Sequence, residues 1–224
     1  MAAPLSHFNE THEQMRLTVR KFVEREILPH VAQWEEEGTF PRELYRKAGA
    51  AGLLAIGFPE EYGGMGEDVF MAVAFSEEII RSTSGGLVAS LGSHGIGLPP
   101  IAKWGSAEMK ARVVPEVLRG EKISALAITE PSGGSDVANL KTRAVKDGDH
   151  YVVNGSKMFI TSGVRADYYT VAVRTGGDGY GGVSLLLIEK GTPGFTVGRS
   201  LKKMGWWPSD TAELFFQDVR VPVK

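Results

Sequence analysis

The 224-residue sequence contains no cysteine. It can therefore form no disulfide, cannot bind a metal through thiolates and has no thiol nucleophile, which fits a reducing compartment. No stretch of about 18 uninterrupted apolar residues occurs, so no transmembrane helix is expected. Residues 1–7 lack both a basic start and an apolar core, so the sequence predicts no secretory signal there.

The sequence also lacks an excess of charge of either sign. It has 25 basic and 27 acidic residues, and no Lys/Arg cluster that could neutralise a run of phosphates. We therefore expect no nucleic-acid partner. Although the chain has 28 glycines, no G-x-G-x-x-G motif follows a strand and opens a helix. Residues 176–182 come closest, but they lie between two predicted strands and are interpreted as a flexible hairpin loop.

The first half of the chain has the apolar spacing of helices. A length of 224 residues predicts one to two domains, and the hydrophobic share of 42% is typical of globular proteins. Apolar residues recur at steps of three and four through residues 9–36, which predicts one amphipathic helix. Further helices are predicted at 41–52, 68–81 and 87–94. Another is expected to begin after an N-cap at Ser106 and to be kinked or interrupted by Pro115.

After Lys122 the pattern shortens to segments typical of strands. They are rich in Val, Ile, Tyr, Phe and Leu, and Gly, Pro or Asp separates them. Asp147-Gly148 predicts a tight hairpin turn. Because no helical pattern intervenes, an antiparallel barrel or sandwich is expected rather than a parallel sheet. The fold class is thus α+β, with an all-α domain at 1–122 and an antiparallel β-barrel domain at 123–224. The predicted strands are 124–128, 141–146, 150–154, 168–174, 183–189 and 213–219.

Two segments of the second half carry the candidate chemistry. Residues 129–136 read T-E-P-S-G-G-S-D, where a strand ends and a turn can present several backbone N–H groups to one polar or anionic ligand. Residues 154–161 read N-G-S-K-M-F-I-T, where aromatic and aliphatic side chains can pack on a flat ring while a hydroxyl reaches its edge. Taken alone, each segment is also compatible with an ordinary turn or core strand.

In their order and separation, the two segments resemble the acyl-CoA dehydrogenase family. That family carries T-E-P-x-x-G-S-D and then N-G-x-K-x-[FW]-I-[TS]. Residues 59–64 (P-E-E-Y-G-G) resemble its P-E-x-Y-G-G loop, and Trp104-Gly105-Ser106 with Gly120-Glu121 resemble its approach to the barrel. Residues 209–213 (S-D-T-A-E) and 218–222 (D-V-R-V-P) resemble its later strands. The resemblance therefore spans essentially the whole chain.

The resemblance implies a flavoenzyme that binds FAD between a central β-barrel and a C-terminal helical bundle. It places Thr129 at the pyrimidine edge of the flavin, Thr161 near N5, and Phe159 over the ring where many relatives have Trp. The implied FAD-binding residues are Leu126, Ile128, Thr129, Gly134, Ser135, Phe159, Ile160 and Thr161. Ser135 is also implied to contact the CoA part of a substrate, and Ser184 is a weaker candidate. The implied acyl-pocket residues are Leu91, His94 and Leu98, although a lone His near a helix end, such as His94, is more often structural or solvated.

The implied reaction removes the α-hydrogen of an acyl-CoA as a proton and the β-hydrogen as hydride to the flavin, leaving a trans-2-enoyl-CoA. Such a reaction needs a carboxylate base. In the family this base is a Glu of the C-terminal bundle, to which no residue of this sequence corresponds, so no catalytic residue is assigned. Glu130 is expected to tether its turn, and Asp136 reads as a cap or turn residue.

Partners and alternatives follow from the same resemblance. It implies an acyl-CoA substrate in fatty-acid β-oxidation, an electron-transferring flavoprotein as electron acceptor, and a homo-oligomer in the full-length form. It also implies a location in a bacterial cytoplasm or a mitochondrial matrix. Two alternatives stay open: a non-catalytic flavin- or CoA-binding fragment, and an acyl-CoA oxidase or flavin monooxygenase with the same fold.

Overall fold

The computed structural model describes residues 7–223, which form a helical half followed by a sheet half. Several helices begin at side-chain caps: the hydroxyl of Ser106 accepts the N–H of Met109 at 3.2 Å, and the Asp68 carboxylate accepts those of Phe70 and Met71. The helices are α1 Glu10–Phe22, α2 Val31–Glu37, α3 Glu43–Ala50, α4 Val69–Ile79, α5 Gly85–Leu91, α6 His94–Gly97, α7 Pro99–Trp104 and α8 Ala107–Leu118.

Two helix predictions are corrected. The helix predicted at 9–36 is split, because α1 passes into a π-helical turn, Val23–Ile27, and Pro29 then follows before α2 begins. Leu28 is still helical, but Pro29 has no N–H to donate, so the helical hydrogen-bond pattern is interrupted there and His30 leaves the helical conformation before α2 begins. Pro115 lies inside α8, which continues for three more residues, so this proline does not interrupt its helix.

The sheet half is a curled, mostly antiparallel sheet, so the predicted fold class is confirmed. Its strands are β1 Ser124–Ala127, β2 Arg143–Asp147, β3 His150–Thr161, β4 Tyr168–Arg174, β5 Val183–Glu189, β6 Phe195–Ser200 and β7 Thr211–Pro222. They are ordered β1-β4-β2-β3-β7-β6, and β5 pairs with β4. Unlike the predicted antiparallel arrangement, β4 pairs in parallel with both β1 and β2.

Strand bounds also differ from prediction. The strand predicted at 150–154 is the start of a 12-residue strand, β3, which includes the second candidate segment. Its pairing with β7 shifts register between Val153 and Gly155 and again between Lys157 and Ile160. Such bulges re-aim side chains, so strict alternation along the segment is lost there. Strand β6 was not predicted.

One hydrophobic core runs through both halves of the molecule. Buried residues of the helices pack in the same cluster as buried residues of the sheet, among them Val19, Ile27, Leu87, Tyr169 and Leu214. A second cluster lies under α7 and α8. The predicted domain boundary at 122 falls in the connection between α8 and β1. In residues 7–223, no helix combines the length and apolar character needed to cross a membrane.

Candidate functional site

The structure brings the two candidate segments side by side. The N–H of Met158 in β3 donates to the carbonyl of Thr129, just beyond the end of β1, at 2.8 Å. Leu126, Ile128 and Thr129 are all half-buried along this edge. Residues 126–135 and 158–161 therefore form one continuous surface, called the site wall below.

Phe159 projects from the site wall because its backbone is unusual. Its φ is +61°, a left-handed conformation that is uncommon for any residue but glycine, and its side chain is 59% exposed. The next residue, Ile160, is buried in the core, and Thr161 is half-buried. Strained backbone of this kind is typical of functional sites, where surrounding structure holds a side chain in place. The result is an exposed aromatic ring next to the segment that pairs with Thr129.

A tight turn folds over Thr129 at the other side of the wall. Glu130 and Gly133 exchange backbone hydrogen bonds of 3.0 and 3.1 Å, and the chain then returns through the exposed residues Gly134 and Ser135. A Cβ atom at Gly134 would lie 3.1 to 3.2 Å from the methyl and hydroxyl of Thr129. The absence of a side chain therefore lets the turn approach this hydroxyl closely. Together with the exposed Phe159 ring, the turn fits a flat ligand that has polar edges.

A buried ion pair lies beneath the site wall. The Lys157 ammonium is fully buried and donates at 2.9 Å both to the Glu130 carboxylate and to the carbonyl of Ile128. The same carboxylate accepts the backbone N–H groups of Lys141 and Thr142. Because one buried carboxylate joins β3, the end of β1 and the start of β2, the predicted tethering role of Glu130 is confirmed.

The electrostatics of this pair keep Glu130 ionised. Burial by itself would raise the pKa of Glu130, but the hydrogen bonds from Lys157 and Thr142 outweigh it and lower the pKa to about 2. Burial lowers the pKa of Lys157, and its pairing with Glu130 opposes that effect. A carboxylate with this pKa and with every oxygen engaged is a poor proton acceptor. Glu130 therefore acts as a structural anion.

The predicted acyl-pocket residues lie in the packed interior of the helical half. Leu91 and Leu98 are buried, and they belong to two different hydrophobic clusters. Both ring nitrogens of His94 lie near backbone carbonyls, those of Leu91 at 3.2 Å and Leu54 at 3.1 Å, and burial lowers its pKa. These contacts connect α6 to the end of α5 and to the segment after α3. The role of the three residues in an acyl pocket stays a prediction.

Sequence reasoning missed Arg174, which organises the loops beside Ser135. Its buried guanidinium donates to carbonyls both in the segment after Ser135 and in the loop at 175–182. Ser184 is linked to the same loop, since its hydroxyl lies 2.6 Å from that of Thr175. An arginine at the end of an otherwise apolar strand was the available signal. Among residues 7–223, no group of three or more His, Asp or Glu side chains is placed to hold a metal.

The fold is a helical half followed by a curled sheet, and the site wall on that sheet combines an exposed aromatic ring with a polar turn. Two family descriptions match the chain: "Acyl-CoA dehydrogenase, N-terminal domain" over residues 9–121 and "Acyl-CoA dehydrogenase, middle domain" over residues 125–219. The chain therefore belongs to the acyl-CoA dehydrogenase family.

Individual relatives agree with this assignment. The long-chain specific acyl-CoA dehydrogenase of Sus scrofa mitochondria is 44% identical over 96% of this chain, which covers 50% of that protein. The crystal structure of an acyl-CoA dehydrogenase from Geobacillus kaustophilus has a TM-score of 0.89 and 44% identity, covering 96% of this chain and 57% of that one. An acyl-CoA dehydrogenase from Bacillus anthracis, solved with FAD, has a TM-score of 0.87 and 34% identity, with coverages of 97% and 37%. The chain spans about half the length of the curated relatives it matches.

Proposed function

We propose that this chain forms the helical and sheet parts of an FAD-dependent acyl-CoA dehydrogenase. The reaction would remove hydrogens from the α and β carbons of an acyl-CoA and leave a trans-2-enoyl-CoA. The site wall is the observation that carries the proposal, because it combines an exposed aromatic ring, the Thr129 hydroxyl and a glycine turn in one surface. FAD, when bound, would supply the hydride-accepting ring.

The residues of the site wall would hold the flavin in complementary ways. Phe159 would cover a face of the ring, with Leu126 and Ile128 adding apolar contact and Ile160 supporting the wall from the core. The hydroxyls of Thr129 and Thr161 would hydrogen-bond the polar edges of the ring. Gly134 and Ser135 would close the turn around it, and Ser135 would also contact the CoA arm. In the helical half, Leu91, His94 and Leu98 stay candidates for the acyl pocket.

The proton acceptor is proposed to lie outside this chain. The α-proton next to a thioester is too weakly acidic to leave without a positioned base. Glu130, the carboxylate beneath the site wall, is held ionised by Lys157 and by two backbone N–H groups. We therefore assign the base to a Glu of the C-terminal helical bundle that characterises the family.

The remaining partners are proposed from the family. The acceptor of electrons from the reduced flavin would be an electron-transferring flavoprotein, and the full-length form would be a homo-oligomer. The relatives include mitochondrial and bacterial proteins, so a mitochondrial matrix or a bacterial cytoplasm is the proposed location.

Flavin bleaching by acyl-CoAs of graded length tests the proposal. The 224-residue chain loaded with FAD should keep its visible flavin absorbance, because the base is proposed to lie outside it. A form extended by the C-terminal helical domain should bleach with acyl-CoAs of the preferred length. Bleaching of the 224-residue chain would show that one of its own carboxylates is the base. A failure of the extended form to bleach, despite FAD binding, would favour the alternative of a non-catalytic flavin-binding protein.

A further inference from the structure

A buried cation joins two loops next to the site wall. The Arg174 guanidinium donates from Nε to the carbonyl of Leu140 at 3.1 Å and from its terminal nitrogens to the carbonyls of Ala138, Gly177 and Gly179. No ion pair described for residues 7–223 includes Arg174. A buried guanidinium is tolerated only when its N–H groups are satisfied, so these four carbonyls are the reason it can be buried.

The first of the two loops, residues 131–141, is called the serine loop and carries Gly134 and Ser135. Two groups of opposite charge, Glu130 and Arg174, hold the backbone where this loop leads back into the sheet. The Glu130 carboxylate accepts the N–H groups of Lys141 and Thr142, while Arg174 holds the carbonyls of residues 138 and 140. The backbone N–H of Arg174 also donates to the carbonyl of Thr142 at 2.7 Å. The C-terminal end of the serine loop is therefore anchored at both charged groups. If it shifted, Glu130 or Arg174 would lose hydrogen-bond partners, so the exposed tip with Ser135 is held in position.

The second loop, residues 175–182, is called the glycine loop and is built closely around the same guanidinium. A Cβ atom at Gly182 would lie 2.8 Å from an Arg174 terminal nitrogen and 1.9 Å from the carbonyl oxygen of Gly177. The N–H groups of Thr175 and Gly176 both donate to the carbonyl of Gly182, at 3.0 and 3.1 Å. Only glycine fits at 182, so the conformation of this loop depends directly on the position of Arg174.

We propose that Arg174 is a positioning residue that sets the separation of the serine and glycine loops, which together bind the pantetheine arm of the substrate. The inference rests on the proposed acyl-CoA dehydrogenase function and deepens it. The exposed Ser135 hydroxyl suits the amides of pantetheine, which both donate and accept hydrogen bonds. The exposed charges of the two loops are Asp136, Lys141 and Asp178, so the loops carry no excess of positive charge that would favour phosphate groups. Arg174 is buried and acts through the loop backbones.

Three thioesters with the same acyl group test this role. They are the acyl-CoA, the S-acylpantetheine and the S-acyl-N-acetylcysteamine, the last of which lacks most of the arm. Calorimetric dissociation constants are measured on the FAD-loaded protein. Arg174→Met should weaken binding of the first two roughly tenfold and leave the third unchanged. Arg174→Lys should give an intermediate effect, because an ammonium cannot reach all four carbonyls.

Two further variants separate positioning from general damage. Gly182→Ala keeps the charge but displaces the glycine loop, and it should reproduce the Arg174→Met pattern. Arg220→Met removes an exposed guanidinium that pairs with Asp147 at 2.8 Å, and it should change none of the three constants. Equal weakening of all three thioesters, or no weakening of any, would overturn the role of Arg174. A wild-type protein that binds FAD but none of the thioesters would instead contradict the proposed function.

Discussion

At the scale of single residues, the site wall depends on side chains held in uncommon states. Phe159 has a left-handed backbone and an exposed ring, and Lys157 is an ammonium without solvent contact. Each state is costly by itself: burying a charge requires a partner, and a positive φ strains any side chain. Neighbouring residues compensate for both costs, which makes the site sensitive to substitutions that look conservative.

The ion pair between Glu130 and Lys157 should make the free energy of unfolding depend on pH in the acid range. Its pKa is lowered from 4.5 to about 2 in the folded protein, so the stabilisation is fully present above about pH 4.5 and is lost as the pH falls towards 2. Glu130→Gln should therefore be less stable than wild type at pH 7, with a difference that shrinks between pH 4.5 and pH 2. Urea unfolding across this range measures it. If wild type and Glu130→Gln differed by the same free energy of unfolding at every pH, the ion pair would not be its source. Glu61→Gln, at an exposed carboxylate, is the control.

Phe159 should affect ligand binding more than folding. Phe159→Gly relieves the positive φ, worth roughly 1 to 2 kcal/mol, while glycine also loses more backbone entropy on folding, so the free energy of unfolding should change by less than about 1 kcal/mol. Affinity for FAD should fall roughly tenfold because the aromatic contact is lost. Flavin fluorescence titration and urea unfolding measure the two effects. Val145→Gly, at an exposed apolar residue on β2, should leave FAD affinity unchanged; equal losses for both variants would contradict a specific role for Phe159.

At the scale of elements, the sequence predicted those helices, strands and turns whose formation depends on neighbouring residues in the chain. The N-cap at Ser106 and the two candidate segments were visible in the sequence because caps and turns need particular residue types. The parallel pairing of β1 with β4 was not visible, because it joins segments more than 40 residues apart and changes no local pattern. The bulge at Phe159 was missed for a similar reason: its register is set by β7.

The cap of α8 gives a prediction for an element. Ser106→Ala removes the hydrogen bond to the N–H of Met109 and should lower the free energy of unfolding by about 1 kcal/mol. Ser106→Asp keeps a capping oxygen and adds a favourable charge at the helix N-terminus, so it should retain wild-type stability or exceed it. Urea unfolding of the three proteins decides the point. If Ser106→Ala and Ser106→Asp lowered the free energy of unfolding equally, loss of the capping hydrogen bond would not explain the destabilisation.

At the scale of the whole molecule, the helical and sheet halves share one core, and the site wall lies on the sheet half with buried charges behind it. The sequence predicted this order of domains and the two segments of the wall. Both loops were visible in the sequence, but their attachment to Arg174 was not, because its hydrogen bonds go to backbone carbonyls that carry no residue-specific signal. Family membership accounts for the cofactor proposal, and the geometry adds which side chains would carry it.

The central claim is that residues 126–135 and 158–161 form the flavin-binding wall, and a crystal structure of the protein with FAD tests it most directly. The account predicts the flavin ring in van der Waals contact with Phe159, at about 3.5 to 4 Å, with a hydrogen bond to the Thr129 hydroxyl. A flavin ring bound elsewhere on the protein, with Phe159 and Thr129 both facing solvent, would contradict the account.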